Sequence, residues 1–377
     1  MIERGAGYDA VLLAGFGGPE GPEDVMPFLR NVTRGRGIPD ERLVEVSHHY
    51  RALGGVSPIN QQNRALRAAL EAELRRRAVT VPVLWGNRNW APFLTDVVAR
   101  AHADGHRRLL AVTTSAYSSY SSCRQYREDF GAALVAGGLL GVVEIDKVRP
   151  YFDTAGFLDP VAEGLRAALG AAADAGIEVA DTEVVFTTHS IPVTMADAAG
   201  SAEWGDHVPP GAYVRQHLQA CRTVIERCRI PQVRWQLAYQ SRSGPPSMPW
   251  LEPDVNDVIG DLAAAGRRGV VVVPIGFISD HVEVVWDLDH EARATAAAHG
   301  LWFHRCPTPG NHPAFVAMLA DLVQQRLFDG REVPTATGTA PRPGTCPVAC
   351  CVNARGVKPT TAGADSAADL VTAGAFR

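Results

Sequence analysis

The sequence predicts an α/β protein of two lobes, each built on a parallel β-sheet covered by helices. Short apolar runs rich in β-branched residues recur along the chain, and most lead into a stretch with helical spacing. Continuous apolar strands of this kind are typical of parallel sheets that are buried on both faces. The alternation runs twice, over residues 8–149 and over residues 150–309. Two lobes are therefore expected.

Five strands are expected, and each ends in small or polar residues. They are Ala10–Ala14, Val81–Trp85, Leu109–Thr113, Val184–Phe186 and Val270–Val273. Helical spacing and strong helix formers predict helices over Gln61–Arg76, Pro160–Ala173 and Pro313–Leu327. We expect the last of these, within residues 310–330, to return to the N-terminal lobe. Residues 331–377, rich in Pro, Gly, Thr and Ala, predict a flexible tail that carries a cysteine cluster.

Composition excludes several classes of protein. Hydrophobic residues make up 46% and charged residues 20% of the 377, which excludes a mostly disordered chain. A net charge of −5 argues against a nucleic-acid binder. The sequence shows neither the run of about 20 apolar residues that a membrane span needs nor a signal peptide. Seven cysteines, an odd number, argue against a secreted disulfide framework. We expect a soluble cytoplasmic protein.

The glycine-rich loop Gly15–Glu20 follows the first strand. It departs from the dinucleotide-binding pattern, because Glu20 stands where a small residue is needed and would repel a pyrophosphate. The loop is then either a tight strand-to-helix turn or a place where a flat ligand approaches the backbone closely.

A histidine and three carboxylates follow two of the expected strands. His189 ends the strand run at Val184–Phe186, and Glu283, Asp287 and Glu291 are spaced four residues apart after Val270–Val273. On a helix such carboxylates share one face. A lone histidine is commonly a structural hydrogen-bonding residue, and an acidic stripe is commonly solvated. Facing each other in a cleft, however, an imidazole and a carboxylate could bind a divalent cation or move protons near neutral pH.

Two segments are dense in hydroxyl groups, residues 54–58 and 117–126. With Arg34 and Arg88 nearby in sequence they could bind carboxylates of a ligand, or they could simply be turns and helix caps. In the tail, Cys346, Cys350 and Cys351 lie within six residues, and clustered thiolates bind soft metals or iron–sulfur centres. A fourth ligand would come from the body, where the other cysteines are Cys123, Cys221, Cys228 and Cys306.

Taken together, these segments resemble the ferrochelatase family, whose members insert Fe²⁺ into a porphyrin. The similar segments occur in the family's order over most of residues 9–330. They are Gly15–Pro19, Gly54–Pro58, Tyr117–Tyr126, Thr188–Pro192, Trp235–Ser241, Pro249–Pro253 and Gly276–Glu283. The resemblance is strongest to the coproporphyrin-using members of high-GC Gram-positive bacteria.

The resemblance implies the chelatase fold, with two Rossmann-like lobes around a porphyrin cleft. It implies that His189 and Glu283 contact the substrate Fe²⁺ and move protons, and that Asp287 and Glu291 form a path for protons or iron. It also implies a group of porphyrin-binding residues, Phe16, Arg34, Ser57, Arg88 and Tyr126. Coproporphyrin III is the favoured substrate over protoporphyrin IX. We expect a monomer that contacts neighbouring haem-pathway enzymes transiently.

Two further features follow from the resemblance. Many bacterial coproporphyrin enzymes carry a tyrosine at the position of Phe16, so here that position offers no oxygen ligand to iron. The tail is similar to the cysteine-rich C-terminus of ferrochelatases that hold a [2Fe–2S] cluster. Cys346, Cys350 and Cys351 are then three ligands, and Cys123, which lies in the same loop as the partner in animal enzymes, is the preferred fourth.

Three other functions remain open at this point. A non-catalytic porphyrin or haem carrier would need the pocket without the His189–Glu283 pair. A metal-dependent hydrolase could use the same pair, and the chain could be a chelatase for another metal or tetrapyrrole. An absorbance scan with porphyrin and Fe²⁺ separates these functions, because only an iron chelatase converts the free-base spectrum into that of the iron complex.

Overall fold

The N-terminal lobe is built on a four-stranded parallel sheet with the strand order β2-β1-β3-β4. The computed structural model describes residues 7–35, 37–244, 247–328, 332–347 and 349–354, with residues 356, 358 and 360. The strands are β1 Ala10–Gly15, β2 Val83–Asn87, β3 Arg108–Thr113 and β4 Glu144–Lys147. The helices of this lobe are α1 Val25–Val32, α2 Asp40–Ala52, α3 Ile59–Arg76, α4 Leu94–Ala103 and α5 Gln125–Ala136.

The C-terminal lobe repeats this topology in a second parallel sheet with the order β6-β5-β7-β8. Its strands are β5 Thr182–His189, β6 Arg234–Gln240, β7 Gly269–Val273 and β8 Trp302–Arg305. Its helices are α6 Ala155–Asp174, α7 Val193–Asp197, α8 Gly211–Cys228, α9 Val255–Ala264, α10 Val282–Val284 and α11 Arg293–Ala298, and α12 Pro313–Leu327 follows. The prediction of an α/β protein with two similar lobes is confirmed.

The central strands owe their position to their apolar sequences. Every residue of β1 and β7 is buried, as continuous apolar strands covered on both faces require. β2 begins at Val83 rather than at Val81 as expected, since the intervening Pro82 has no N–H to donate within a sheet.

Helix α12 packs against α3 of the N-terminal lobe and against α6 of the C-terminal lobe. Its buried side chains, including Phe315, Leu319 and Val323, belong to the same core cluster as residues of both lobes. The helix therefore connects the lobes instead of belonging to the first alone. Within the described ranges, no helix is both long enough and apolar enough to cross a bilayer.

The described part of the tail lies against the body, whereas the composition predicts flexibility. Val333 is buried in the central core, and the Ala336 N–H donates to the Asp153 carbonyl at 2.6 Å. Further on, Arg342 makes two hydrogen bonds to the carboxylate of Asp206. These contacts are between distant residues, so composition alone does not indicate them. Residues 361–377 of the expected tail lie outside the described residues.

Candidate functional site

His189 and Glu283 face each other where two strands of the C-terminal lobe end. His189 is the last residue of β5, and Glu283 lies in α10, after β7. Neighbouring parallel strands present their carboxyl ends at the same sheet edge, which brings the two side chains together. His189 Nε2 lies 3.6 Å from Glu283 Oε2. That distance is too long for a hydrogen bond and short enough for an ion pair.

The hydrogen bonds of His189 define its protonated nitrogen. Nδ1 lies 2.5 Å from the carbonyl oxygen of Ser190, which can only accept, so Nδ1 carries a proton. Nε2 is left to accept a proton or to ligate a cation on the side of Glu283. Burial opposes the charged form of His189, but the interaction with Glu283 outweighs it and raises the pKa of His189.

The carboxyl of Glu283 stays ionised. Burial raises its pKa, but interactions with His189 and with His281 and His49 more than compensate, so the pKa falls to about 2. The pair is thus a carboxylate beside an imidazole that titrates above its usual range, suited to proton transfer.

The other two carboxylates, Asp287 and Glu291, lie on a π-helical segment that follows Glu283. The segment Val285–Ala292 is π-helical and continues α10, and Asp287 and Glu291 lie on it. Asp287 is half-buried, whereas Glu291 is exposed and accepts a hydrogen bond from Trp286 Nε1 at 2.8 Å. Along the chain, the half-buried Asp287 therefore lies between two exposed carboxylates, Glu283 and Glu291. The spacing predicts a helix, but it does not distinguish an α-helix from a π-helix, which is rare and frequently occurs at functional sites.

Asp287 has the most unusual acidity of the site. Burial raises the pKa of Asp287, and the negative charges of Glu283 and Glu291 raise it further. A hydrogen bond from Ser241 lowers it, and the net result is a pKa of about 7. Gln240 Nε2 also donates to Asp287 at 3.2 Å. Gln240 ends β6 and Ser241 directly follows it. Neither was predicted to act here, because no feature of the sequence links β6 to the acidic helix.

The N-terminal lobe covers one side of this helix through aromatic residues. The Phe16 ring packs edge-on against Phe28 at 6.4 Å between ring centroids, and Phe28 contacts Tyr50. Phe28 and Tyr50 share an apolar cluster with Val282, the first residue of α10. Phe16, 38% exposed, therefore lies beside the residues of the N-terminal lobe that pack against the start of the helix carrying Glu283.

The other predicted porphyrin-binding residues differ in exposure. Arg34 is exposed at the end of α1, and Ser57 is buried against Gly18, where a Cβ atom would lie 2.6 Å from Ser57 Cβ. Arg88 is buried, pairs with Asp129 and lies over the ring of Tyr126, which is itself buried. The structure thus brings Arg88 and Tyr126 together beneath the hydroxyl-rich loop.

Four cysteines form a separate buried cluster. Cys123, Cys346, Cys350 and Cys351 pack together beside Trp204, and the last two thiols are 3.8 Å apart. Cys123 lies in a second π-helical segment, Tyr120–Arg124. The other body cysteines, Cys221, Cys228 and Cys306, belong to the central apolar core. Of the four possible body partners, the structure places only Cys123 beside the tail thiols.

The tail approaches this thiol cluster through specific contacts. The Cys351 N–H donates to the Gly200 carbonyl at 2.6 Å, and Cys351 has a φ of 54°, a conformation that is uncommon outside glycine. Asn353 donates to the buried carboxylate of Glu128 at 3.0 Å. Among the described residues, no three His, Cys, Asp or Glu side chains are arranged to hold a single metal ion.

Comparison with known proteins gives consistent matches. The sequence pattern of the family described as ferrochelatase matches residues 8–327. A coproporphyrin III ferrochelatase from Leifsonia xyli is 53% identical over 367 residues, 94% of each chain. Another, from Streptomyces griseus, is 52% identical over 372 residues, 96% of this chain and 97% of the relative. Among solved structures, SirB from Bacillus subtilis with Fe³⁺ is 13% identical with a TM-score of 0.48, over 85% of this chain and 96% of that one.

Proposed function

This chain belongs to the ferrochelatase family, and from that premise we propose that it inserts Fe²⁺ into coproporphyrin III in haem biosynthesis. It is an enzyme, a metal chelatase with the chelatase fold, and the iron it inserts is a substrate. Coproporphyrin III is named in the descriptions of relatives that are about half identical over nearly their whole length. The observation that carries the proposal is the His189–Glu283 pair at the carboxyl ends of the strands.

Metal insertion exchanges one Fe²⁺ for two pyrrole protons, so the site must accept protons. We propose that His189 Nε2 takes a pyrrole proton, because Nδ1 is already bonded to the Ser190 carbonyl. The carboxylate of Glu283 then stabilises the imidazolium that forms. A positioned acid–base group of this kind contributes roughly 10²–10⁴ in rate.

Asp287 is proposed to receive the proton next, which frees His189 Nε2 to take the second pyrrole proton. Its pKa of about 7 makes it both an acceptor and a donor at neutral pH, and Glu291 continues the path to solvent. The ionised carboxylate of Glu283, and that of Asp287 once it has lost its proton, would attract Fe²⁺ and replace part of its hydration shell. Protons would leave and iron would arrive along the same row of carboxylates, Glu283, Asp287 and Glu291. This is the exchange that the reaction requires.

We propose that the porphyrin lies against Phe16, with Arg34 and Ser57 near its propionates. Phe16 offers an apolar ring and no ligand atom, so the iron receives no oxygen from this position. Arg88 and Tyr126 are proposed to support the hydroxyl-rich loop, residues 117–126, from its buried side. Binding energy from these contacts can offset the distortion of a ring that must expose its nitrogen lone pairs.

The substrate is tested by comparing turnover of coproporphyrin III and protoporphyrin IX with Fe²⁺ under the same anaerobic conditions. Coproporphyrin carries four propionates and protoporphyrin two. We expect kcat/KM to be at least about tenfold higher for coproporphyrin, because one charge-assisted hydrogen bond contributes about 1.5–3 kcal/mol. Equal or faster turnover of protoporphyrin would contradict the substrate assignment. Binding without conversion of the free-base spectrum would instead indicate a carrier.

The acidity of Asp287 predicts how the rate depends on pH. As pH rises through about 7, Asp287 loses its proton and becomes an acceptor. His189, whose pKa is raised above its usual value, also loses its proton as the pH rises, so the rate should rise. Asp287→Asn should lower kcat about tenfold, less than loss of His189. It should also shift the acid side of the profile to lower pH, because removing a negative charge disfavours the imidazolium. The measurement is kcat against pH.

Asp289→Asn is the matched control for this prediction. Asp289 lies in the same π-helical segment but pairs with Arg305 at 2.9 Å, away from His189. We expect its pH profile to keep the wild-type midpoint. If Asp287→Asn also keeps that midpoint, Asp287 does not take part in the proton path.

We also propose that the four clustered thiols hold a [2Fe–2S] cluster, with Cys123 as the body ligand beside Cys346, Cys350 and Cys351. Such clusters are bound by four cysteines. Four thiolates would be divided between two irons. The absence, within the described ranges, of three side chains around a single metal ion therefore does not conflict with such a cluster. Support comes from the packing of these thiols in one buried group and from a nearby cation. Burial lowers the pKa of Lys147, but interaction with the clustered thiols, Cys123 foremost, raises it overall.

When bound, the cluster supplies four iron–thiolate bonds and a one-electron redox centre. This chain's own contribution is to bring the tail to the body, through the Cys351–Gly200 and Asn353–Glu128 contacts. The cytoplasmic location, the monomeric state and transient contacts with other haem-pathway enzymes stay predictions.

A further inference from the structure

We infer that Tyr213 is a positioning residue for His189, acting within a buried hydrogen-bonded network that also contains Thr188 and His217. The inference rests on the proposed role of His189. Tyr213 and His217 lie on α8, which the sequence motifs did not indicate as part of the site. All three network residues are at most 5% exposed.

The hydroxyl of Tyr213 donates to the backbone carbonyl of His189 at 2.9 Å. The same oxygen lies 2.8 Å from Thr188 Oγ1, and Thr188 Oγ1 lies 2.9 Å from His217 Nε2. Tyr213 thus contacts both of the last two residues of β5. It reaches the reactive residue through the main chain and does not touch the face that meets the substrate.

The protonation of His217 fixes the direction of these bonds. His217 Nδ1 lies 2.7 Å from the Tyr213 carbonyl, which can only accept, so Nδ1 carries a proton. Burial lowers the pKa of His217 to about 3, so the ring is neutral and Nε2 is a lone pair. The Thr188 hydroxyl must then donate to Nε2. The Thr188 hydroxyl proton is then used in the bond to His217 Nε2. The Tyr213 hydroxyl proton is therefore shared by two acceptors, the His189 carbonyl and Thr188 Oγ1.

Neighbouring loops prevent the network from relaxing. The Tyr117 ring stacks on His217 with centroids 3.6 Å apart, and its hydroxyl donates to the Ile275 carbonyl at 3.1 Å. A Cβ atom at Gly276 would lie 2.1 Å from Thr188 Oγ1, so only glycine fits there. Tyr117 comes from the N-terminal lobe and Ile275 from the C-terminal lobe. The network is therefore enclosed by both.

The consequence is that His189 is held at two points. Its ring is fixed by Ser190 through Nδ1, and its peptide carbonyl is fixed by Tyr213. Together these bonds direct Nε2 towards Glu283. Releasing the carbonyl should let the ring turn from that direction, and a displacement of about 1 Å in a reacting group can cost on the order of 10²-fold in rate.

The test is Tyr213→Phe in the full-length protein, which removes one oxygen. We expect kcat for iron insertion to fall about tenfold while KM for porphyrin stays within about twofold. A crystal structure of the variant should show His189 Nε2 turned away from Glu283. Tyr151→Phe is the matched control, because the equally buried Tyr151 hydroxyl donates to the Thr113 carbonyl in the other sheet. It should lose stability without losing kcat.

A second pair of variants keeps the test decisive if Tyr213→Phe does not fold. Tyr213→Leu also removes the hydroxyl and should show the same loss of kcat. Thr188→Val removes only the oxygen that competes for the Tyr213 proton, so it should keep kcat within about twofold of the wild type. Wild-type kcat in either Tyr213 variant overturns the inference, as does an equal loss in Thr188→Val or in Tyr151→Phe. A folded His189→Ala protein that still inserts iron overturns the proposed function instead, so the two failures are distinguishable.

Discussion

His189→Ala is expected to abolish measurable iron insertion while porphyrin affinity stays within a few-fold of the wild type. The imidazole is the proposed acceptor of a pyrrole proton, and that interaction exists only as the proton leaves the ring. A loss of about 10²–10⁴ in kcat is expected for such a group. Insertion is followed by the change in the porphyrin absorption spectrum, and affinity by fluorescence quenching in the absence of metal.

Glu283→Gln should behave similarly, because the amide cannot stabilise an imidazolium at His189. His290→Ala is a suitable control, since His290 lies on the same helical segment, is exposed and stacks on Trp286. We expect it to keep the wild-type rate within about twofold. Near-normal turnover in a folded His189→Ala protein would remove His189 from the mechanism.

The central strands and the edge strand β2 could be predicted from the sequence, but the edge strands β4, β6 and β8 could not. β1, β3 and β7 are apolar almost throughout, and β5 is apolar over Val184–Phe186, which burial on both faces of a sheet requires. β6 is exposed at Arg234 and half-buried over the next three residues, and β4 and β8 have four residues each. Those segments have no continuous apolar run. They become strands because a neighbouring strand supplies the hydrogen-bonding partner.

The meeting of His189 and Glu283 was predictable because both follow buried strands, and strand order brings the ends of β5 and β7 together. The surroundings were not predictable. Arg88 pairs with Asp129, forty-one positions further along the chain, and Asp287 accepts a hydrogen bond from Ser241, which directly follows β6. The sequence also shows no periodicity that separates a π-helix from an α-helix over so few residues. Such features depend on long-range packing.

Substitution of the clustered cysteines is expected to remove the iron–sulfur cluster. Protein made with adequate iron should be reddish-brown and contain roughly two irons and two sulfides per chain. Serine at Cys346, Cys350 or Cys351 should bleach it and lower the melting temperature, because metal–thiolate bonds can offset the entropy of ordering the tail. Cys123→Ser should do the same. Iron and sulfide analysis with visible absorption measures the loss.

The remaining cysteines provide the control. Cys221, Cys228 and Cys306 are as deeply buried as the four clustered thiols but lie in the central core. Serine at any of them should cost stability by burying a hydroxyl, yet leave the colour and the iron content unchanged. If one of them bleaches the protein while Cys123→Ser does not, the body ligand is misassigned although a cluster exists. If protein purified anaerobically from iron-replete cells is colourless and holds neither iron nor sulfide, the four thiols are only a structural contact between tail and body.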